Sequence, residues 1–163
     1  MKKMPIHLIT RLYDSPLGVL QLGAIGNELY MASWSPSDRY AAGTLPVLDE
    51  ASRQLDEYFR RERRIFDVPL HLEGTDFQLR AWQALCTIPY GTTRSYAEEA
   101  RAANLGRAYR AIGNANHHNP ICIIVPCHRV ITSAGTLGGY GGGLWRKEAL
   151  LALEGACGAF SKR

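Results

Sequence analysis

The first 85 residues of this chain contain no cysteine. The four that follow, Cys86, Cys122, Cys127 and Cys157, show no CxxC pairing, and no HxxxH accompanies them, so the sequence offers neither a metal ligand set nor a secreted disulfide framework. All four are expected as thiols, with no metal and no cofactor. Cys86 and Cys122 read as small buried apolar residues, and Cys157 lies in an uninformative Gly/Ala/Ser tail. Long apolar runs are missing too. The stretch ICIIV at 121–125 is far shorter than the roughly 20 residues a membrane span needs, and the opening MKKMPIHLITRLYD has no apolar signal-peptide block. These absences lead us to expect a soluble cytoplasmic protein with no membrane partner. What is present is an ordinary globular composition, 46% hydrophobic and 21% charged, in 163 residues, enough for one full core or two small ones.

The net charge of +4 is unevenly spread. Residues 1–75 hold 9 Lys/Arg against 10 Asp/Glu, whereas residues 76–163 hold 10 against 5. A basic second half suggests an anionic partner such as nucleic acid, although such an excess also occurs on proteins that bind nothing anionic.

The pattern along the chain divides at the same place. LITRLYDSPLGVLQLGAIGNELYMASW reads as a meander of strands, turning at Ser15-Pro16-Leu17-Gly18 and Gly26-Asn27. PVLDEASRQLDEYFRRERR carries a helical stripe of Val47, Leu48, Ala51, Leu55, Tyr58 and Phe59 behind Pro46. IFDVPL at 65–70 alternates as a further short strand, and HLEGT reads as a linker. Two small domains are therefore expected, 1–74 and 75–163.

From Thr75 the pattern turns helical. Thr75 with Gln78, and Ser95 with Glu98, fit capping boxes opening two helices, the second running to about Ala103, where Asn104-Leu105-Gly106 breaks it. A third helix is expected from about Arg107 to Asn116. Two helices joined by a short Gly-containing turn, the second bearing Arg107 and Arg110, suggest a helix-turn-helix, although many such pairs are packed hairpins.

The chemistry concentrates in IIVPCHRV at 123–130. Asn119-Pro120 forces a turn, ICIIV reads as a buried strand or extended segment, and Pro126 ends it. Cys127 then stands where a rigid element meets the surface, beside His128. A thiol near its reference pKa of about 8.5 is mostly protonated at neutral pH, so a histidine base would raise the reactive fraction, and a carboxylate should orient that histidine. Neighbours on an extended chain point to opposite sides, so contact between the two needs a turn or a bridging water. Glu154, at the end of WRKEALLALEG, is the best candidate carboxylate. For a bare cysteine–histidine dipeptide, a core cysteine beside a surface base is the simpler account.

The wider pattern is more specific. IVPCHRVI, preceded by Asn119-Pro120 and followed by GYGGG and KEALLALEG, closely resembles the active-site segment of the O6-alkylguanine-DNA alkyltransferases, also called methylated-DNA-protein-cysteine methyltransferases. The likeness extends through FQLRAWQALCTIPYGTTRSYAEEA and RAYRAIGNANHHNP, and more weakly to the first half with its DSPLG turn. It implies direct-reversal repair, in which one alkyl group moves irreversibly from O6-alkylguanine to a cysteine. Cys127 would accept the alkyl group, His128 would act as base through a water, and Glu154 would orient His128. Asn119 would be the hinge between the helix-turn-helix and the active-site strand. Tyr96 would help rotate the nucleotide and protonate the leaving guanine at N3, and Arg110 would fill the gap left in the duplex.

The resemblance further assigns Arg107, Tyr109, Ala111 and Ser95 to the DNA face, which approaches double-stranded DNA through the minor groove. It assigns Tyr140, Gly138, Gly141, Gly142 and Val130 to the guanine pocket. The fold it implies is an α/β, ribonuclease-H-like N-terminal domain followed by a mostly helical domain with a winged helix-turn-helix, acting as a monomer. Each role has a physical reason. A base must leave the stack before an enzyme can reach its O6, a wedge holds the gap open, and glycines allow close backbone approach. A thioether product has no carbonyl for water to attack, so the protein should act once. Two positions depart from the family pattern: Tyr109 replaces a usually small residue, and Gly141 an often-used serine. The rival readings are a lesion-binding relative without transfer, which the presence of Cys127 opposes, and a Cys-His-Glu hydrolase. The hydrolase would leave Tyr96 and Arg110 unexplained. Acceptance of O4-alkylthymine and cooperative binding to DNA stay open.

Overall fold

The computed structural model of the chain describes residues 4–156, 158 and 160, so the Cys157 expectation lies outside the described residues. The chain forms two compact units. One runs to Glu73 and includes Pro120–Cys122; the other comprises Gly74–Asn119 and resumes at Ile123.

In the first unit β1 (Ile9–Ser15), β2 (Gly18–Ile25) and β3 (Glu28–Ser33) form an antiparallel meander. A two-residue β4 (Ala41–Ala42) pairs parallel to β1, giving the order β3-β2-β1-β4. Both expected turns are present. Ser15 Oγ accepts from the Leu17 amide at 3.1 Å and donates to the Gly18 carbonyl at 2.6 Å. Gly18 and Gly26 take φ values of 110° and 58°, a region closed to most side chains. Helix α1 (Pro46–Phe59) starts at a proline whose missing N–H costs nothing in the first turn, and lays Val47, Leu48, Ala51, Leu55 and Tyr58 against the sheet. It stops before the RRERR tail, where Arg61 turns to φ 62°.

Residues 65–70 are not the expected strand. Phe66, Val68 and Leu70 do turn inward in alternation, but the Asp67 amide donates to Gln54 Oε1 at 3.0 Å instead of joining a ladder, and Pro69 has no N–H to give. A single parallel bridge, Leu29 with Leu70, is all that forms.

In the second unit α2 (Asp76–Leu85), α3 (Tyr96–Ala102) and α4 (Tyr109–His117) pack around Ala81, Ala100, Ile112 and Ala115, with Phe77, Tyr96 and Leu105 against that cluster. Both capping boxes form reciprocally. Helix α4 begins two residues later than expected, because the turn after α3 uses Asn104 at φ 56° and Gly106 at φ 62°, and Ala108 supplies no side-chain cap. A short parallel pair, β5 (Arg94–Ser95) with β6 (Val130–Ile131), and helix α5 (Leu144–Leu153) complete the unit.

The buried strand or extended segment expected at 121–125 is also corrected. Only Ile121 pairs, through Ala32 in the first unit. Ile123 then adopts φ 70°, an unusual conformation for a β-branched residue, and the chain coils into a single 3-10 turn at Cys127–Arg129. Cys86 and Cys122 are not the buried thiols expected: Cys86 is exposed at the end of α2 and Cys122 is half-buried.

Candidate active site

The 3-10 turn places Cys127 with 8% of its surface exposed. Asn119, just past the end of α4, donates through Nδ2 to the Val125 carbonyl at 2.7 Å and to Cys127 Sγ at 3.2 Å, so one carboxamide holds both the loop and the sulfur. Burial pushes the Cys127 thiol up, while the Asn119 hydrogen bond and the Lys147 charge pull it down. On balance the resting sulfur favours its proton, which makes a nearby base useful.

The adjacent His128 is fully buried. His128 Nε2 lies 2.8 Å from Glu154 Oε1, and Arg129 binds the same carboxylate through Nε and Nη2, each at 2.9 Å. Arg129 Nη1 also donates to the Ile88 carbonyl at 2.7 Å. Burial alone would raise the Glu154 carboxyl, but its bonds to His128 and Arg129 win and hold it well below the usual range. The ionised carboxylate therefore accepts from His128 Nε2–H, which fixes the tautomer. Nδ1 keeps its lone pair and has no hydrogen-bond partner among the described residues. Burial lowers the pKa of His128 despite the adjacent carboxylate, so the ring stays neutral and able to accept a proton.

A cavity of about 260 Å³ opens at the sulfur, walled by Tyr96, Gly113, Asn116, His117, Cys127, Gly139, Tyr140 and Gly141. It is smaller than the clefts of about 300–1,000 Å³ that hold drug-sized ligands, a size suited to one flat ring system. A side chain at Gly138 would put its Cβ 2.9 Å from the Tyr96 hydroxyl, so glycine there is a close-approach requirement. Lys147 closes the loop from below, Nζ donating to the carbonyls of Val130 and Leu137 at 2.5 Å and of Gly139 at 3.1 Å. A second, open groove shares Tyr96, Gly113 and Gly139 and adds Tyr109, Arg110, Thr132 and Gly138.

The structure thus gathers Cys127, Tyr96, Tyr140 and Gly141 on one cavity; Asn119 donates to the Cys127 sulfur, and His128, next in sequence, is paired with Glu154. Arg110, Tyr109 and Gly138 line the neighbouring groove. Arg107 and Ala111 are exposed at the start of α4, and Ser95 is engaged as the cap of α3. Val130 and Gly142, expected in the pocket, stand outside its wall: Val130 is buried at the head of β6, and the Gly142 carbonyl accepts from Arg146 at 2.8 Å.

Sequence reasoning passed over Lys147, Arg129, Glu99 and Asn116. A signal existed for the first. Lys147, Leu150, Leu151 and Glu154 share one face of α5 at helical spacing, so a lysine and a glutamate sit where apolar residues belong. Glu99 likewise lies next to Ala100 on the buried side of α3.

The sequence matches the 6-O-methylguanine DNA methyltransferase family twice, its ribonuclease-like domain over residues 8–72 and its DNA binding domain over residues 76–156. The chain belongs to this family. It is 50% identical over 149 residues to a methylated-DNA–protein-cysteine methyltransferase of Mycobacterium tuberculosis, covering 88% of this chain and 90% of that protein. A similar protein of Methanosarcina barkeri is 58% identical over 105 residues, 64% of this chain and 66% of the relative. Among solved structures, the Mycobacterium tuberculosis O6-methylguanine methyltransferase superposes with a TM-score of 0.84 at 45% identity, covering 96% of each chain. The same organism's OGT in complex with DNA gives 0.83 at 48% identity, covering 93% of this chain and 94% of that one. No helix among the described residues is long and apolar enough to cross a membrane.

Proposed function

We propose that this protein repairs DNA by direct reversal, taking the alkyl group of O6-alkylguanine onto Cys127 in a single, irreversible turnover. The observation that carries this reading is a cysteine lining a base-sized cavity, next in sequence to a histidine whose Nε2 is held by a buried carboxylate.

In the reaction the Cys127 proton passes through an intervening water to His128 Nδ1. The thiolate attacks the alkyl carbon, forming an S–C bond as the C–O6 bond breaks, and the electron pair leaves with guanine. Tyr96 gives that guanine a proton at N3, and the phenol is replenished from solvent. The Gly141 amide faces the O6 side of the base. The thioether has no electrophilic carbonyl, so no step regenerates the thiol. Arg110 enters the duplex in place of the extruded nucleotide, Tyr109 adds a stacking surface, and Arg107, Ser95 and Ala111 meet the backbone across the minor groove. Helices α3 and α4 act as a helix-turn-helix with β5 and β6 as its wing, and the first unit is ribonuclease-H-like. The protein works in the cytoplasm as a monomer.

Intact-protein mass spectrometry after incubation with a duplex containing O6-methylguanine tests this. A mass gain of one CH2 unit on Cys127, absent from Cys127→Ser, is the expected outcome. Binding without mass gain would identify a lesion-recognition protein, and repeated turnover would identify a hydrolase.

A further inference from the structure

Besides His128 Nδ1, two buried acceptors in the second unit have no partner among the described residues, Glu99 Oε1 and Asn116 Oδ1. They belong to side chains already joined, for Asn116 Nδ2 donates to Glu99 Oε2 at 2.7 Å. Glu99 projects from α3 with no exposed surface, and Asn116 projects from α4 into the cavity wall that also holds Cys127. A carboxylate has only acceptors, so it takes one bond from the Asn116 amide, and its second oxygen and the amide oxygen are each left without a donor. One proton on Glu99 Oε1 changes this. The new O–H donates to Asn116 Oδ1 while Nδ2 keeps its bond to Oε2, and both orphaned atoms are satisfied together.

No neighbouring group replaces that proton. Arg94 from β5 and Lys147 from α5 are the cations whose charge reaches Glu99, and both favour its ionised form. Yet Arg94 is engaged by the Ala84 and Thr87 carbonyls and the Thr87 hydroxyl, and Lys147 by three carbonyls of the cavity loop. Burial outweighs them and the Asn116 hydrogen bond, which also favours the ionised form, and raises the Glu99 carboxyl to about 7. The effect is mutual across the site: an ionised Glu99 pushes up both the Cys127 thiol and the Tyr96 phenol, and competes with Cys127 for the charge on Lys147.

We propose that Glu99 is a positioning residue that works as a neutral acid paired through both oxygens with Asn116, fixing the cavity wall and sparing the Cys127 thiolate a second negative charge. Lys147 then faces one anion, the thiolate itself. The proposal rests on Cys127 being the alkyl acceptor. Glu99 touches no substrate atom; it acts through Asn116 and through the field at the sulfur.

Infrared spectroscopy of the whole protein carrying carbon-13-labelled glutamate tests the protonation directly. The wild type should show one labelled neutral-acid carbonyl band at about pH 6 that fades by about pH 9, and Glu99→Gln should lack it. Glutamine keeps both bonds to Asn116 and cannot ionise. The transfer rate of Glu99→Gln relative to wild type should therefore climb several-fold between those pH values, because an ionised Glu99 raises the wild-type Cys127 thiol and a glutamine does not. Only carboxylate bands at the lower pH, or a rate ratio flat with pH, would overturn the proposal. Failure of the wild type to gain the methyl group at any pH would instead overturn the repair function, and the infrared result would still be readable.

Discussion

In the first unit the buried polar side chains are Thr10, Gln21 and Gln54, all neutral, whereas the second buries Glu99, His128, Arg129, Lys147 and Glu154. Charge in the first unit stays near water. Arg53 pairs with Glu50 at 2.5 Å and with Glu57, and Arg63 meets Glu57 at 2.6 Å, all with part of each side chain exposed. Such pairs form and break at little cost. In the second unit the Arg129, Lys147 and Glu154 charges are surrounded by hydrogen bonds because their alternative is an unpaired ion in an apolar medium. The first unit spends its core on cohesion, and the second accepts desolvation in order to hold a thiol, an imidazole and an ammonium group in place.

The largest effect that would test this contrast is Glu154→Ala. It leaves the Arg129 guanidinium buried without its counter-charge and frees the His128 ring, so a stability loss of about 3–5 kcal/mol is expected, together with loss of transfer in the fraction that still folds. Urea denaturation and single-turnover kinetics check the two halves separately. Leu55→Ala should cost a similar amount, about 2–5 kcal/mol by cavity formation in the first unit, yet leave transfer per folded molecule unchanged. A rate loss there would break the separation between cohesion and chemistry.

Glu99→Gln sharpens it with the opposite sign. Because the folded pKa of Glu99 is raised, to about 7, the stability it contributes is complete below its unfolded value near 4.5 and is lost as pH rises through about 7. Glutamine suffers no such loss. Thermal melts of the two proteins should coincide near about pH 4 and separate by about pH 8, with the variant more stable by up to about 3 kcal/mol. Arg107→Ala, at an exposed position before α4, should leave folding intact and flatten the salt dependence of DNA binding by about one unit in the log–log slope. The smallest effect is expected from Arg53→Ala, under about 1 kcal/mol in the same urea titration, because its pairs are solvated.

Much of this was legible along the chain. The meander, α1 and the capping boxes followed from turn chemistry and periodicity, local signals that tertiary structure here left in place. The segments misread as strands, 65–70 and 121–125, carry the right alternation or apolarity. What decides them is where their amides go: the Asp67 amide to Gln54, and the chain after Cys122 into a left-handed turn at Ile123. No window of sequence contains those partners.

The site divides in the same way. The sequence alone supplied Cys127, His128 and the candidate carboxylate Glu154 from the chemistry of their residue types, and Asn119 through the resemblance of its motif to the family. The tertiary structure decided which nitrogen of His128 is free, that Lys147 is buried under the cavity loop, and that Glu99 and Asn116 meet across 17 residues with an acceptor to spare on each. Hydrogen-bond direction and desolvation depend on everything that surrounds an atom in space, and those surroundings come from segments that are far apart in the chain.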